Sequence, residues 1–239
     1  TGNIAEGPAM TREECVQAIL TGVDTVRDLK AEGYDLIVTG EMGIGNTTTS
    51  SACAAVLFDQ APEVVTGRGA GLSTEGLNKK VRAIERAIEV NHPDKTDAID
   101  VISKVGGLDI AGMVGCYLGA AYYHLPILID GFISAISAYL AGMLSKTAKE
   151  YMIPTHGSAE PAAKLAMEHL GMQAPIQARM HLGVATGAIM GLSLLDPDRK
   201  SVVSGTRVAL GGPRIIKKKN LPLTLPPPLS LFPHLPSPP

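Results

Sequence analysis

The sequence predicts an α/β fold, a buried parallel sheet with helices packed on its faces. Two short apolar runs, YDLIVTG at 34–40 and LPILID at 125–130, each lead through a glycine into a helix-length segment rich in small residues. Between them lies a stretch with a clear 3.6-residue apolar period. The composition agrees, because 45% of the 239 residues are apolar, only 4% are aromatic, and there are 26 Gly and no Trp. Such a chain can bury a substantial core by close packing of small residues.

Taken in order, YDLIVTG reads as a buried strand, GEMGIGN as a glycine-rich turn, and TTTSSACAAVLF as a helix. Over 74–90, Leu77, Val81, Ile84 and Ile88 share one helical face while Arg82, Glu85, Arg86 and Glu89 take the other, and Asn91, His92 and Pro93 end that helix. Residues 110–129 run for 20 positions without an acid or a base, long enough to cross a bilayer. Gly112, Gly115, Gly119, His124 and Pro126 instead divide the run into a small-residue helix ending near Tyr123 and the strand LPILID. FISAISAYLAGML then continues as a helix. A further strand is expected at 151–153, followed by a polar turn, THGSAEP, that opens a helix at about Pro161 to Leu170. No repeat of solenoid period is present.

The net charge of −2 conceals an acidic body and a basic end. Thr1–Pro197 carries 14 Lys and Arg against 22 Asp and Glu, whereas Asp198–Pro239 carries 7 against 1. An acidic body does not steer toward nucleic acid or an anionic membrane, so neither is expected as a partner. Cys15, Cys53 and Cys116 form no CxxC pair and suit a reducing, cytoplasmic setting as small buried hydrophobes. The opening TGNIAEGPAMTREE lacks the basic and apolar regions of a signal peptide, and Thr1 in place of Met implies a fragment or a processed start. Nine of the 17 prolines lie from Pro213 onward. The stretch DRKSVVSGTRVALGGPRIIKKK resembles translated sequencing adapter running into a poly-A tract, which implies a native sequence ending near Asp196 or Pro197 and an unstructured, non-native tail at 198–239. A genuine proline-rich ligand for an aromatic-lined groove is the competing reading.

Chemistry concentrates in the turns. Gly40 and Gly45 have the spacing of a GxxxxGK[ST] phosphate loop, but Asn46 stands where that loop needs its Lys, so a triphosphatase is excluded. The amides at the start of the following helix still suit one phosphate. Glu41 in such a turn would face a sugar hydroxyl, a water or a cationic ring; a turn that only packs helix on strand is the alternative. The second cluster, Gly67-Arg68-Gly69-Ala70-Gly71, shortly precedes the amphipathic helix, and Lys80 inside that helix completes a plausible phosphate clamp or is simply a surface charge. Two glycine turns in one small domain raise the chance of a shared ligand. Asp130 ends LPILID, where open α/β sheets place ligands, or caps the helix that follows. His156 and Ser158 are wrongly spaced for a nucleophile and its base, so Ser158 is read as a hydrogen-bonding residue of the site. The six histidines show no zinc spacing, and no metal is implied.

The segments GEMGIGNTTTSSA, TGRGAGLSTEGLNKK, GLDIAGMVG, LPILIDGFISAISA and PTHGSAEPAAKLAMEHLGM together resemble the nicotinate-nucleotide:dimethylbenzimidazole phosphoribosyltransferases of cobalamin nucleotide-loop assembly, over Thr1 to Asp196. The resemblance implies a three-layer, Rossmann-like α/β domain with remnants of a small helical domain, a homodimer when full length, and no cofactor. It also implies transfer of the 5-phosphoribosyl group from nicotinate mononucleotide to a benzimidazole-type base, with inversion at the anomeric carbon. By the same resemblance the turn at Gly43 and Gly45, the turn at Gly69, and Lys80 hold the phosphate, Ser158 lies at the sugar and base pocket, Asn46, Leu182 and Gly183 also bind substrate or phosphate, and Glu41 and Asp130 surround the reacting centre. Two departures stand out. The family's general-base Glu falls at Val184, which cannot accept a proton, and the family carries a stretch upstream of Thr1 that helps line the base pocket. A catalytically silent nucleotide-binding homologue or partner subunit, and a related transferase with a phenolic or purine acceptor, are the alternatives.

Overall fold

The first strand is short. In the computed structural model, which describes residues 1–69, 71–180 and 185–192 without the side chains of 178–180, β1 is only Ile37–Val38. It pairs in parallel with β2 (Ile127–Ile129), Ile37 opposite Ile127, and β2 pairs in parallel with β3 (Met152–Pro154), Leu128 opposite Ile153. The central strand is fully buried, as an uninterrupted apolar run requires. The tail expected at 198–239 lies outside the described residues.

Helices supply most of the packing. In chain order they are α1 (Arg12–Ala31), α2 (Asn46–Leu57), α3 (Pro62–Val65), α4 (Thr74–Asn91), α5 (Ala98–Val105), α6 (Leu108–Tyr122), α7 (Phe132–Leu144) and α8 (Pro161–Leu170), with a 3₁₀ turn at Lys146–Tyr151. Local chemistry sets their ends. Thr11 and Glu14 form a reciprocal capping box on α1, Ser73 caps α4, Asp97 caps α5, and α4 stops where His92 turns left-handed at φ 44°. The amphipathic helix is therefore found one residue longer than expected. Residues 110–129 divide between α6 and β2, and among the described residues no helix is long and apolar enough to cross a membrane.

The α1–α6 contact explains the glycines at 22 and 115. A Cβ on Gly22 would lie 2.1 Å from the carbonyl oxygen of Gly112, and one on Gly115 would lie 1.9 Å from that of Ile19. The two backbones thus meet directly, with Cys15, Ile19, Val23 and Val26 buried along the seam.

One expectation is corrected. THGSAEP is not only a turn: His156–Ser158 forms β4, paired in parallel with β5 (Ile176–Met180), His156 opposite Ile176. A His-Gly-Ser segment has no intrinsic strand preference, so its pairing is decided by the partner strand.

Candidate functional site

The carboxyl ends of β1, β2 and β3 feed three connections that meet: residues 39–45 after β1, Asp130-Gly131 after β2, and Thr155 leading into β4 after β3. A buried hydroxyl cluster underlies them. Thr39 Oγ1 donates to the Leu128 carbonyl at 2.8 Å and lies 2.7 Å from Ser134 Oγ and 3.0 Å from the Tyr117 hydroxyl. Ser134 Oγ is 2.6 Å from Tyr117 and accepts the backbone N–H of Asp130 at 2.9 Å. Burial pushes the Tyr117 phenol well above its ordinary value, so it stays protonated and able to donate.

In the first glycine turn, Gly45 sits left-handed at φ 86° as the N-cap of α2, and it has no side chain with which to satisfy the first-turn amides. Asn46 Nδ2 donates to Glu41 Oε2 and, at 3.0 Å, to Asp109 Oδ2, so one amide hydrogen serves the turn itself and the other ties it to the start of α6. A Cβ on Gly43 would lie 2.9 Å from the Asn46 amide nitrogen, so a side chain there would push Asn46 aside. Burial raises the Glu41 carboxyl above its usual range; the Asn46 bond opposes this, and the Asp109 and Asp130 carboxylates add to it. Met42 and Ile44 project from the same turn into solvent.

The second turn meets the first at Thr47. Lys80, only 7% exposed, donates from Nζ to Thr47 Oγ1 at 2.9 Å and to the Gly67 carbonyl at 3.2 Å. Gly69 is left-handed at φ 53°, and a Cβ there would approach Thr47 Oγ1 to 3.2 Å. Lys80 is thus no surface charge: burial lowers its ammonium below the ordinary value, and the nearby Glu160 carboxylate pulls it back up. The Gly69 N–H donates to Glu160 Oε1 at 3.1 Å, and Ser158 Oγ accepts the Glu160 N–H at 3.3 Å. The two glycine turns, Lys80 and Ser158 therefore form one cluster, joined through Thr47 and Glu160. Neither joining residue is singled out by the sequence.

Asp130 does not cap the helix that follows it, because α7 starts from Gly131 without a side-chain cap. Its carboxylate, 5% exposed, instead reaches the helical segment at 186–192: Oδ2 accepts the Ala185 N–H at 3.1 Å and Oδ1 the Ala188 N–H at 2.9 Å. A carboxylate at a helix start is electrostatically favoured. That segment is pressed onto the strand ends. A Cβ on Gly40 would meet Ala185 N at 2.8 Å, one on Gly187 would fall 1.9 Å from His156 Nδ1, and one on Gly191 would meet Thr155 at 2.7 Å. His156 is buried beneath it, and burial holds its imidazole below the ordinary value against the pull of Asp130. Leu182, Gly183 and Val184, expected at the pocket and the base position, lie outside the described residues. A cavity of about 650 Å³ lies against α8, lined by Met167, Met172, Gln173 and Gln177, and of the described candidates Ser158 alone borders it.

A family model described as phosphoribosyltransferase matches residues 1–200. Over 196 residues, 82% of this chain, the sequence is 51% identical to nicotinate-nucleotide–dimethylbenzimidazole phosphoribosyltransferase of Acetivibrio thermocellus and 47% identical to that of Clostridium acetobutylicum. The chain spans 56% of the length of each of these relatives. Among solved structures, CobT from Thermus thermophilus superimposes with a TM-score of 0.77 at 36% identity, over 82% of this chain and 59% of that one. A second structure, titled as the same organism's nicotinate-nucleotide–dimethylbenzimidazole phosphoribosyltransferase, also has a TM-score of 0.77, at 34% identity over 87% of this chain and 63% of that one. Sequence and fold agree, and the chain belongs to the nicotinate-nucleotide–dimethylbenzimidazole phosphoribosyltransferase family.

Proposed function

We propose that this chain binds nicotinate mononucleotide by its phosphate and takes part in transfer of the 5-phosphoribosyl group to a benzimidazole-type base in cobalamin biosynthesis, giving α-ribazole phosphate and nicotinate. The observation that carries the reading is the convergence of the Gly43–Gly45 turn, the Gly69 turn and the buried Lys80 ammonium on Thr47. Backbone amides at a helix start beside a desolvated cation are what a phosphomonoester needs. In the reaction, a ring nitrogen of the incoming base attacks the anomeric carbon from the face opposite nicotinate. The glycosidic bond breaks with its electron pair going to the pyridine nitrogen, and the proton on the base's other nitrogen must be removed.

Two carboxylates near that centre have different tasks. On this reading Glu41, half-buried with its carboxyl raised, faces the cationic ring or a sugar hydroxyl, while Asp130 holds the 185–192 segment and acts through it. The proton acceptor is missing, because Val184 stands at the family's Glu position. That substitution favours a second reading, in which the chain binds the nucleotide and turns over poorly or not at all. Nicotinate release from nicotinate mononucleotide and dimethylbenzimidazole, followed chromatographically, tests both. Val184→Glu is expected to raise the rate by about 10²–10⁴, the usual reach of a positioned general base. Saturable binding with no release in either form, when both are made in the full-length protein, establishes the binding-only reading. A cytoplasmic location, a homodimer for the full-length protein and no cofactor belong to the same proposal.

A further inference from the structure

The feature of this site left without a task is Glu160. It occupies the N-cap position of α8 but does not cap that helix; its side chain turns back toward the second glycine turn. Oε1 accepts the Gly69 N–H at 3.1 Å. Oε2 is buried and has no hydrogen-bond partner among the described residues. A Cβ on Gly67 would lie 1.9 Å from that same Oε2, so the carboxylate lies directly against the backbone of the turn. Its charge also bears on the Lys80 ammonium. An anionic group thus sits on the glycine amide and within electrostatic reach of the lysine, the two groups proposed to hold the phosphate.

We infer that Glu160 is a placeholder for the phosphate: its carboxylate holds the Gly69 amide and balances Lys80 until nucleotide binds, and the phosphate of the nucleotide displaces it. This rests on the proposed phosphate site. The geometry favours exchange over permanent residence. An amide hydrogen that serves a carboxylate cannot also serve a phosphate oxygen at full strength, and two anions cannot share one ammonium without repulsion. Burying an oxygen without a partner is unfavourable, so this arrangement is one that a better-matched anion can replace. The placeholder keeps the turn formed between ligands, and every phosphomonoester that binds must first overcome it.

Two conservative variants test this in the complete chain, with inorganic phosphate and nicotinate mononucleotide as titrants in a calorimeter. Glu160→Gln removes the charge at constant shape. Glu160→Asp keeps the charge but is one methylene too short to reach Gly69, and Asp is a favoured N-cap, so α8 is preserved. Both are expected to bind either titrant about tenfold or more tightly than the parent chain, the difference between displacing a charge-assisted bond and a neutral or absent one. Equal or weaker binding in both variants overturns the inference and makes Glu160 a strut of the turn. Lys80→Met separates the two claims. If it binds phosphate as the parent does, the phosphate site itself is wrong and the placeholder falls with it. If Lys80→Met loses binding while the Glu160 variants gain nothing, only the placeholder fails.

Discussion

Asp130 is the residue whose assigned task is most exposed to test. Its two oxygens each accept one backbone N–H of the 185–192 segment, at 3.1 and 2.9 Å, from a nearly water-free position. Asp130→Asn preserves shape but leaves one neutral acceptor where there were two charged ones, and it removes a negative charge from a helix start. Losing one charge-assisted bond and most of the dipole interaction costs about 2–3 kcal/mol. The backbone N–H of Asp130 still reaches Ser134, so the hydroxyl cluster and β2 keep their support. The loss is therefore local, and the segment opens more often while the sheet does not. Hydrogen exchange followed by mass spectrometry resolves this directly. Amides at 185–192 are expected to lose protection by roughly 30- to 150-fold, at 1.4 kcal/mol per decade, whereas those of Phe132–Leu144 keep theirs. Unchanged protection at 185–192, or an equal loss in both regions, would refute an anchoring role.

Lys80→Met should weaken binding of nicotinate mononucleotide by about 1.5–3 kcal/mol and also lower the melting temperature, since Thr47 Oγ1, the Gly67 carbonyl and the Glu160 carboxylate all lose the ammonium; titration calorimetry and a thermal melt report the two effects separately. Gly115→Ala drives a methyl group into the Ile19 carbonyl, forces α1 and α6 apart and should destabilise by about 1–3 kcal/mol or more, read as a fall of several degrees in Tm. His156 is held below its ordinary value, so between that lowered value and about pH 6.5 the unfolded chain binds a proton that the folded one excludes. Stability should accordingly fall as pH drops below about 6.5, and His156→Gln should flatten that part of the denaturation profile.

The sheet was legible because its signal is strong: LPILID, closed by an acid and a glycine, has few other readings, and β2 lies within it. The amphipathic α4 was equally plain. The α1 helix was not, although Cys15, Ile19, Gly22, Val23 and Val26 recur at helical spacing, because a glycine in the middle of that face is a poor helix former and obscures it. Strands β4 and β5 depend on each other rather than on propensity. In the site, the turns at Gly45 and Gly69 were identifiable by residue type, whereas Lys80, next to Lys79, was set apart from an ordinary surface charge only by the family resemblance. Thr47 and Glu160 were not, because a threonine in a TTT run and a glutamate before a proline acquire their roles only when folding brings α2, α4 and α8 together. Asp130 was rightly placed at the strand end, but its partners lie more than fifty residues onward, beyond the reach of local reasoning.

The backbone-to-backbone seam of α1 and α6 also bears on how the protein is made. Gly22 and Gly115 lie roughly ninety residues apart, so at ~5–20 residues per second α1 leaves the ribosome some 5–20 s before its partner has been synthesised. During that interval the strip of Cys15, Ile19, Val23 and Val26 has nothing to cover it. At Gly22 the docking surface is bare main chain, and a substitute helix that carries side chains there cannot approach it as closely. The tightness that excludes a single methyl group from the finished fold therefore also protects the nascent chain from premature pairing.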